Sequence, residues 1–150
     1  MHEAATAWVI DDDVSIHRLI ERSLIEANIA SRSFFDGSSV LTFLTTSIER
    51  PDVLIVDLMM PGVVGFDLVD ELRSREELAS VPIVVVTAHA EVCDASRAAD
   101  HGAAFLTKPF RIHAFLATVT RVLQWSQPFE LPPQRSRGVS AADPSSGGSK

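Results

Sequence analysis

The chain has 150 residues, 46% hydrophobic and 22% charged, a balance that fits one folded domain with a single core. The net charge of −7 and pI near 5.1 argue against a nucleic-acid surface, because phosphate backbones are met by basic patches. No apolar stretch is long enough to span a bilayer, the start Met1 to Thr6 lacks the basic and apolar parts of a signal peptide, and the sole cysteine, Cys93, has no partner for an internal disulfide, so a cytoplasmic protein without membrane contact is expected.

In chain order, the first apolar run is Trp8-Val9-Ile10, which ends in Asp11, Asp12 and Asp13. Ile16, Leu19, Ile20 and Leu24 then recur at helical spacing, with Ser15 placed as an N-cap. Ser33-Phe34-Phe35 is a short strand candidate broken by Asp36-Gly37. Val40, Leu41 and Leu44 mark a second helix that must stop before Pro51. The run Val53 to Val56 ends in Asp57, and Phe66, Val69 and Leu72 mark a third helix. Ile83 to Val86 ends in Thr87. Glu91 to His101 reads as a helix with a mostly alanine inner face, closed by Gly102. Ala104 to Thr107 ends in Lys108-Pro109, and Ile112, Phe115, Leu116, Val119, Val122 and Leu123 make a final amphipathic helix.

Strand therefore alternates with helix, and the strands show no polar alternation, as expected of central parallel strands covered on both faces. An open three-layer α/β/α sandwich follows. After Gln127 the composition shifts. Residues 128–150 hold four of the eight prolines, show no periodicity, and read as a flexible tail or linker. Residues 1–6 form an N-terminal extension, and 7–127 the folded domain.

In a parallel sheet the carboxyl ends of the strands form the ligand-binding edge. Each strand end then offers a distinct chemistry. Asp11 and Asp12 make a hard, oxygen-rich pair suited to Mg²⁺, or else an acidic loop that caps the next helix. Asp13 is a solvent-facing or helix-start acid. Asp57 is an isolated carboxylate after a buried run, costly without a cation beside it and able to act as a nucleophile; it can equally be a turn residue before Pro61-Gly62. Thr87 is either a buried strand threonine or a hydroxyl that bonds a phosphoryl oxygen, with the small Ala88 leaving room for a donor. Lys108 can neutralise phosphate as a mobile point charge, or simply end a strand, and Pro109 suits a cis turn that would aim the lysine inward.

Together these pieces resemble the receiver domain of bacterial two-component response regulators. The matching segments are Val9-Ile10-Asp11-Asp12-Asp13, Asp52 through Gly62, Val85-Val86-Thr87-Ala88, and Gly102 through Phe110, in matching order and spacing over roughly Ala7 to Ser126. No single motif carries the likeness. It implies a flavodoxin-like (βα)5 fold with a five-stranded parallel sheet of order 2-1-3-4-5. It further implies that Asp57 accepts a phosphoryl group from a sensor histidine kinase or a histidine phosphotransfer protein. Asp12 would ligate Mg²⁺ directly, Asp11 through water, and the Met59 backbone carbonyl would complete the protein ligands. Thr87 and Lys108 would bind phosphoryl oxygens. Thr87 would move toward them and Phe105 turn inward as the switch aromatic, although Phe105 can also be a plain core residue. The face formed by the fourth helix, fifth strand and fifth helix would then change, controlling a downstream protein target, an output domain of the same protein, or a phosphorylation-dependent homodimer. Such a domain is a switch rather than a turnover enzyme and binds no nucleic acid itself.

Val64 departs from the acid or asparagine common before Gly65, and Met59 and His89 occupy positions that tune phosphate lifetime in the family. His89 is expected at the cleft rim. His2, His17, His101 and His113 show no metal-ligand spacing and read as surface residues. Cys93 reads as a small helix residue, and Trp125 and Phe129 as an edge cover or partner contact. Two other functions compete. An aspartate-nucleophile phosphohydrolase typically needs a second acid two residues after the nucleophile, where Met59 stands. A receiver-like scaffold that works without phosphate would not need the intact acids, Thr87 and Lys108. The segment Ala7 to Asp13 is similar to receivers of nitrogen-regulation-type transcription activators. With no second globular pattern after Ser126, either a stand-alone receiver or one cut from a longer regulator is expected.

Overall fold

Apolar runs without polar alternation are sheltered only inside a sheet covered on both faces. In the computed structural model, which describes residues 4–62, 66–88 and 95–126, five such strands pair in parallel in the order β2-β1-β3-β4-β5. They are β1 (Thr6–Ile10), β2 (Ala30–Phe34), β3 (Val53–Asp57), β4 (Ile83–Thr87) and β5 (Ala103–Thr107). The helices between and after them are α1 (Val14–Glu26), α2 (Gly37–Thr46), α3 (Asp67–Arg73), α4 (Ala95–Asp100) and α5 (Ile112–Ser126). A 3-10 turn at Glu76–Leu78, which the sequence pattern does not signal, precedes β4. Among the described residues no helix is long and apolar enough to cross a membrane.

The side-chain period of two sorts each strand between two cores. Leu54 and Val56 of β3 join Trp8, Ile10, Val85 and the inner faces of α2 and α3. Val53 and Ile55 join Val9, Val84 and Val86 with Ile20, Leu24, Phe115 and Val119 of α1 and α5. Every residue of β3 and β4 is buried, as expected for central strands. The register that results, Ile10 against Val56, Asp57 against Val86 and Thr87 against Thr107, brings the polar strand ends to one edge.

Four local expectations change. β2 runs over Ala30–Phe34 rather than Ser33 to Phe35, because pairing with β1 begins at Thr6↔Ala30 and the edge position tolerates its polar residues. Arg32 of this strand lies over the Phe43 ring at 4.4 Å and pairs with Glu49. The N-cap of α1 is Asp13, not Ser15: its carboxylate accepts from the Ser15 N–H at 2.8 Å and the Ile16 N–H at 3.4 Å. The buried face of α1 is His17, Ile20, Ser23 and Leu24, which leaves Leu19 36% exposed. His17 is therefore not a surface residue.

His101 also differs from expectation. It is half-buried, stacked on Phe66 with ring centroids 4.0 Å apart, and its Nδ1 lies 2.8 Å from the Asp70 carboxylate. His113 is exposed as expected. The described part of α4 begins at Ala95, buries Ala98, and ends before Gly102, whose φ of +71° suits a residue without a Cβ. His2, Val64, Gly65, His89, Cys93, the Trp125 side chain, Phe129 and the segment 128–150 lie outside the described residues.

Leu54 is fully enclosed in the first core. Leu54→Ala should cost about 2–5 kcal/mol, read as a lower urea midpoint with an unchanged slope. A loss well under about 1 kcal/mol would show that this layer is not close-packed.

Candidate functional site

Each strand end holds its polar side chain where the backbone ladder stops. Asp11 follows β1, and its N–H donates to the Phe34 carbonyl at 3.1 Å. Asp57 is the last residue of β3, and Thr87 the last of β4. Lys108 follows β5, and its N–H donates to the Thr87 carbonyl at 2.9 Å, extending the β4–β5 pairing by one residue. The Lys108–Pro109 peptide is cis.

The lysine bridges two acids. Its ammonium donates to Asp11 Oδ2 at 2.8 Å and to Asp57 Oδ2 at 3.2 Å. Asp11 and Asp57 are buried, Asp12 is exposed, and carboxylate oxygens of the three lie within 4.8 Å of one another. The other carboxylate oxygens are held by backbone. Asp57 Oδ1 accepts from the Met59 N–H at 2.9 Å, and Asp11 Oδ1 from the Asp13 N–H at 2.9 Å. The Met59 side chain points outward, 44% exposed. Thr87 is fully buried, and Phe105 is half-buried against the core that holds Val85 and Ala98.

Three carboxylates thus face one ammonium. The excess of two negative charges, on hard oxygen donors opening to solvent at Asp12, is the donor set a small divalent cation such as Mg²⁺ takes. The Asp11 pKa is raised. Burial is the largest cause, helped by the charge of Asp57 and opposed by the hydrogen bonds from Lys108 and Asp13. For Lys108, burial pulls the pKa down, but its contacts with Asp11 and Asp57 outweigh that and leave it raised. The ammonium therefore stays charged wherever the protein works.

The structure brings together Asp11, Asp12, Asp57, Met59, Thr87 and Lys108 at one sheet edge, with Pro109 in the turn that follows. Phe105 lies further down β5, opposite Val85. The residue that sequence reasoning missed is His17, whose Nε2 is 2.6 Å from the Asp11 carbonyl oxygen. Its spacing from Ile20 and Leu24 placed it on the buried face of α1, a signal masked by the apolar Ile16 and Leu19 beside it.

Residues 7–120 match the model of the response regulator receiver domain family. The DNA-binding transcriptional regulator NtrC of Klebsiella pneumoniae is 37% identical over 127 residues, which cover 84% of this chain and 26% of that protein. The solved apo receiver domain of nitrogen regulatory protein C superposes with a TM-score of 0.70 at 34% identity, covering 85% of this chain and all of that one. The chemotaxis response regulator CheY4 of Vibrio cholerae gives a TM-score of 0.70 at 28% identity, covering 79% and 98%. The chain belongs to the response regulator receiver domain family, a class of phosphorylation-regulated signalling domains with the flavodoxin-like fold. It spans about a quarter of the length of the NtrC relatives.

The raised Asp11 pKa fixes the sign of a pH effect. The folded protein keeps a proton on Asp11 to higher pH than the unfolded chain, whose value is near 3.8, so ionisation of Asp11 subtracts stability as pH rises from there through the folded value. The stability of the unaltered protein relative to Asp11→Asn should therefore fall across that acid window in chemical denaturation. A rise would mean that attraction to Lys108 outweighs burial. Lys108 acts at the other extreme: its contribution is complete below pH 10.5 and is lost as pH climbs through its raised folded value.

Proposed function

We propose that Asp57 is the phosphoacceptor of this receiver. The observation that carries the reading is the Lys108 ammonium shared between Asp57 and Asp11 beside a third carboxylate, which sets a nucleophilic carboxylate next to a lysine and a cation site. The donor is the phosphohistidine of a sensor histidine kinase or a histidine phosphotransfer protein. An Asp57 carboxylate oxygen forms a bond to phosphorus as the P–N bond breaks, and the electron pair leaves with the imidazole. Little covalent chemistry is asked of the protein, because phosphoryl transfer is catalysed mainly by positioning and charge neutralisation.

Asp11, Asp12, Asp57 and the Met59 carbonyl would hold Mg²⁺, which supplies positive charge to the transferring oxygens. The hydrogen bond from Met59 N–H orients the Asp57 carboxylate. Lys108 then follows the negative charge onto the phosphoryl group, and Thr87 donates its hydroxyl to a second phosphoryl oxygen. Thr87 and Phe105 act as the switch, since a change at the end of β4 is passed to β5 and α4 through the core that Phe105 and Ala98 share. The altered surface of α4, β5 and α5 controls a downstream target, an output domain or a homodimer, and the setting is cytoplasmic. Residues 7–127 form the receiver, 1–6 an extension, and 128–150 a tail or linker. Domains of this family generally signal rather than turn over substrate, and Met59 takes the place of the second acid that a phosphohydrolase would use.

Intact-mass measurement after incubation with acetyl phosphate should show one phosphoryl adduct that depends on Mg²⁺ and is absent in Asp57→Asn. No adduct, or one unaffected by the variant, would sink the assignment and favour a scaffold that works without phosphate. Mg²⁺ at a hundred times its dissociation constant should raise unfolding stability by about 2.7 kcal/mol, with chelation reversing the gain.

A further inference from the structure

His17 is a buried polar residue beside the acid site. Its Nε2 lies 2.6 Å from the Asp11 carbonyl oxygen. A carbonyl only accepts, so Nε2 carries the proton and donates. The backbone N–H of the same residue donates to the Asp13 carbonyl at 3.2 Å. One residue thus ties both ends of the Asp11–Asp13 segment to α1. The ring rests against Phe35, with centroids 4.3 Å apart, which confines its rotation.

The second ring nitrogen, Nδ1, is buried with no hydrogen-bond partner among the described residues. A leucine or phenylalanine would fill the same space without leaving a nitrogen unpaired. Buried unpaired polar atoms are uncommon enough that each calls for a reason. Here the reason lies on the other side of the ring, at the peptide that joins the two acids.

We propose that His17 is a positioning residue for the Asp11–Asp12 pair. The Asp11 carbonyl and the Asp12 N–H belong to one rigid peptide plane. Upstream, the Asp11 N–H is already fixed on Phe34, and downstream the Asp13 N–H is fixed on the Asp11 carboxylate. The hydrogen bond from His17 sets the remaining rotation of the plane between them. That rotation decides the direction in which the exposed Asp12 side chain leaves the backbone relative to the buried Asp11. The assignment rests on reading these two acids as ligands of Mg²⁺. Partners of this kind, one bond removed from the cation, orient the ligands and hold affinity.

The test is a Mg²⁺ titration of the full chain, followed by calorimetry and by the amide shifts of Asp12 and Asp13, for the unaltered protein, His17→Phe and His17→Gln. Phenylalanine keeps the ring and removes the donor. Glutamine can return an N–H near the Nε2 position. The expected result is binding about tenfold weaker in His17→Phe and within about threefold of the unaltered protein in His17→Gln. Wild-type affinity in His17→Phe, or equal weakening in both variants, would overturn the positioning role while the Mg²⁺ site stands. An unaltered protein that binds no Mg²⁺ would overturn both. A further measurement needs no variant. The nitrogen shifts of the His17 ring should report a proton on Nε2, and a proton on Nδ1 alone would overturn the proposal.

Discussion

Everything at the functional edge is organised by one ammonium held between two buried carboxylates. Lys108 reaches from the end of β5 to Asp11 beyond β1 and to Asp57 at the end of β3, so a single side chain links three of the five strands. That geometry exists only because the parallel register stops these strands in line. A slip of one residue would send each side chain to the opposite face. The pairing is also deliberately incomplete in charge. One cation cannot balance three acids, and the shortfall is what suits the edge to a further cation.

The polar strand ends were legible in the sequence because each follows an uninterrupted apolar run, and a buried run has few places to put an acid or a lysine except where it surfaces. Asp11, Asp57, Thr87 and Lys108 could be aligned from that pattern before any geometry was known. The central strands were equally plain, since Ile83 to Val86 has no polar alternation. What misled was the local context of polar residues on helices and edges. Ser15 and Asp13 are both competent caps, and the choice between them depends on where the backbone leaves β1. Ile16 and Leu19 suggested a buried face that the sheet rotates toward His17 and Ile20. β2 buries Phe34 alone among its five residues, too little apolar signal to mark its start. The roles proposed for the aligned residues in phosphotransfer rest on resemblance, since spacing alone leaves Thr87 and Phe105 equally at home in a plain core.

Histidines illustrate why composition is a poor guide to position. His17 and His101 share no motif, yet both are folded into contacts: one against Phe35 and the Asp11 carbonyl, the other against Phe66 and Asp70. An imidazole presents an apolar ring and a polar rim, so it sits comfortably where a helix meets both a core and a backbone edge. His17 is signalled only by its helical spacing from Ile20 and Leu24.

Arg73, at the end of α3, donates to the carbonyls of Leu78, Ala79 and Val81 and, at 2.9 Å, to that of Gly102 just after α4. Four loop carbonyls gathered on one guanidinium make the far end of the sheet a fixed anchorage. His101 adds a second tie at the same end of α4, while the described part of that helix buries Ala98 alone. The start of β5 and the C-terminal end of α4 are thereby tied to α3, one by the Arg73 guanidinium and the other by the His101 imidazole on Asp70.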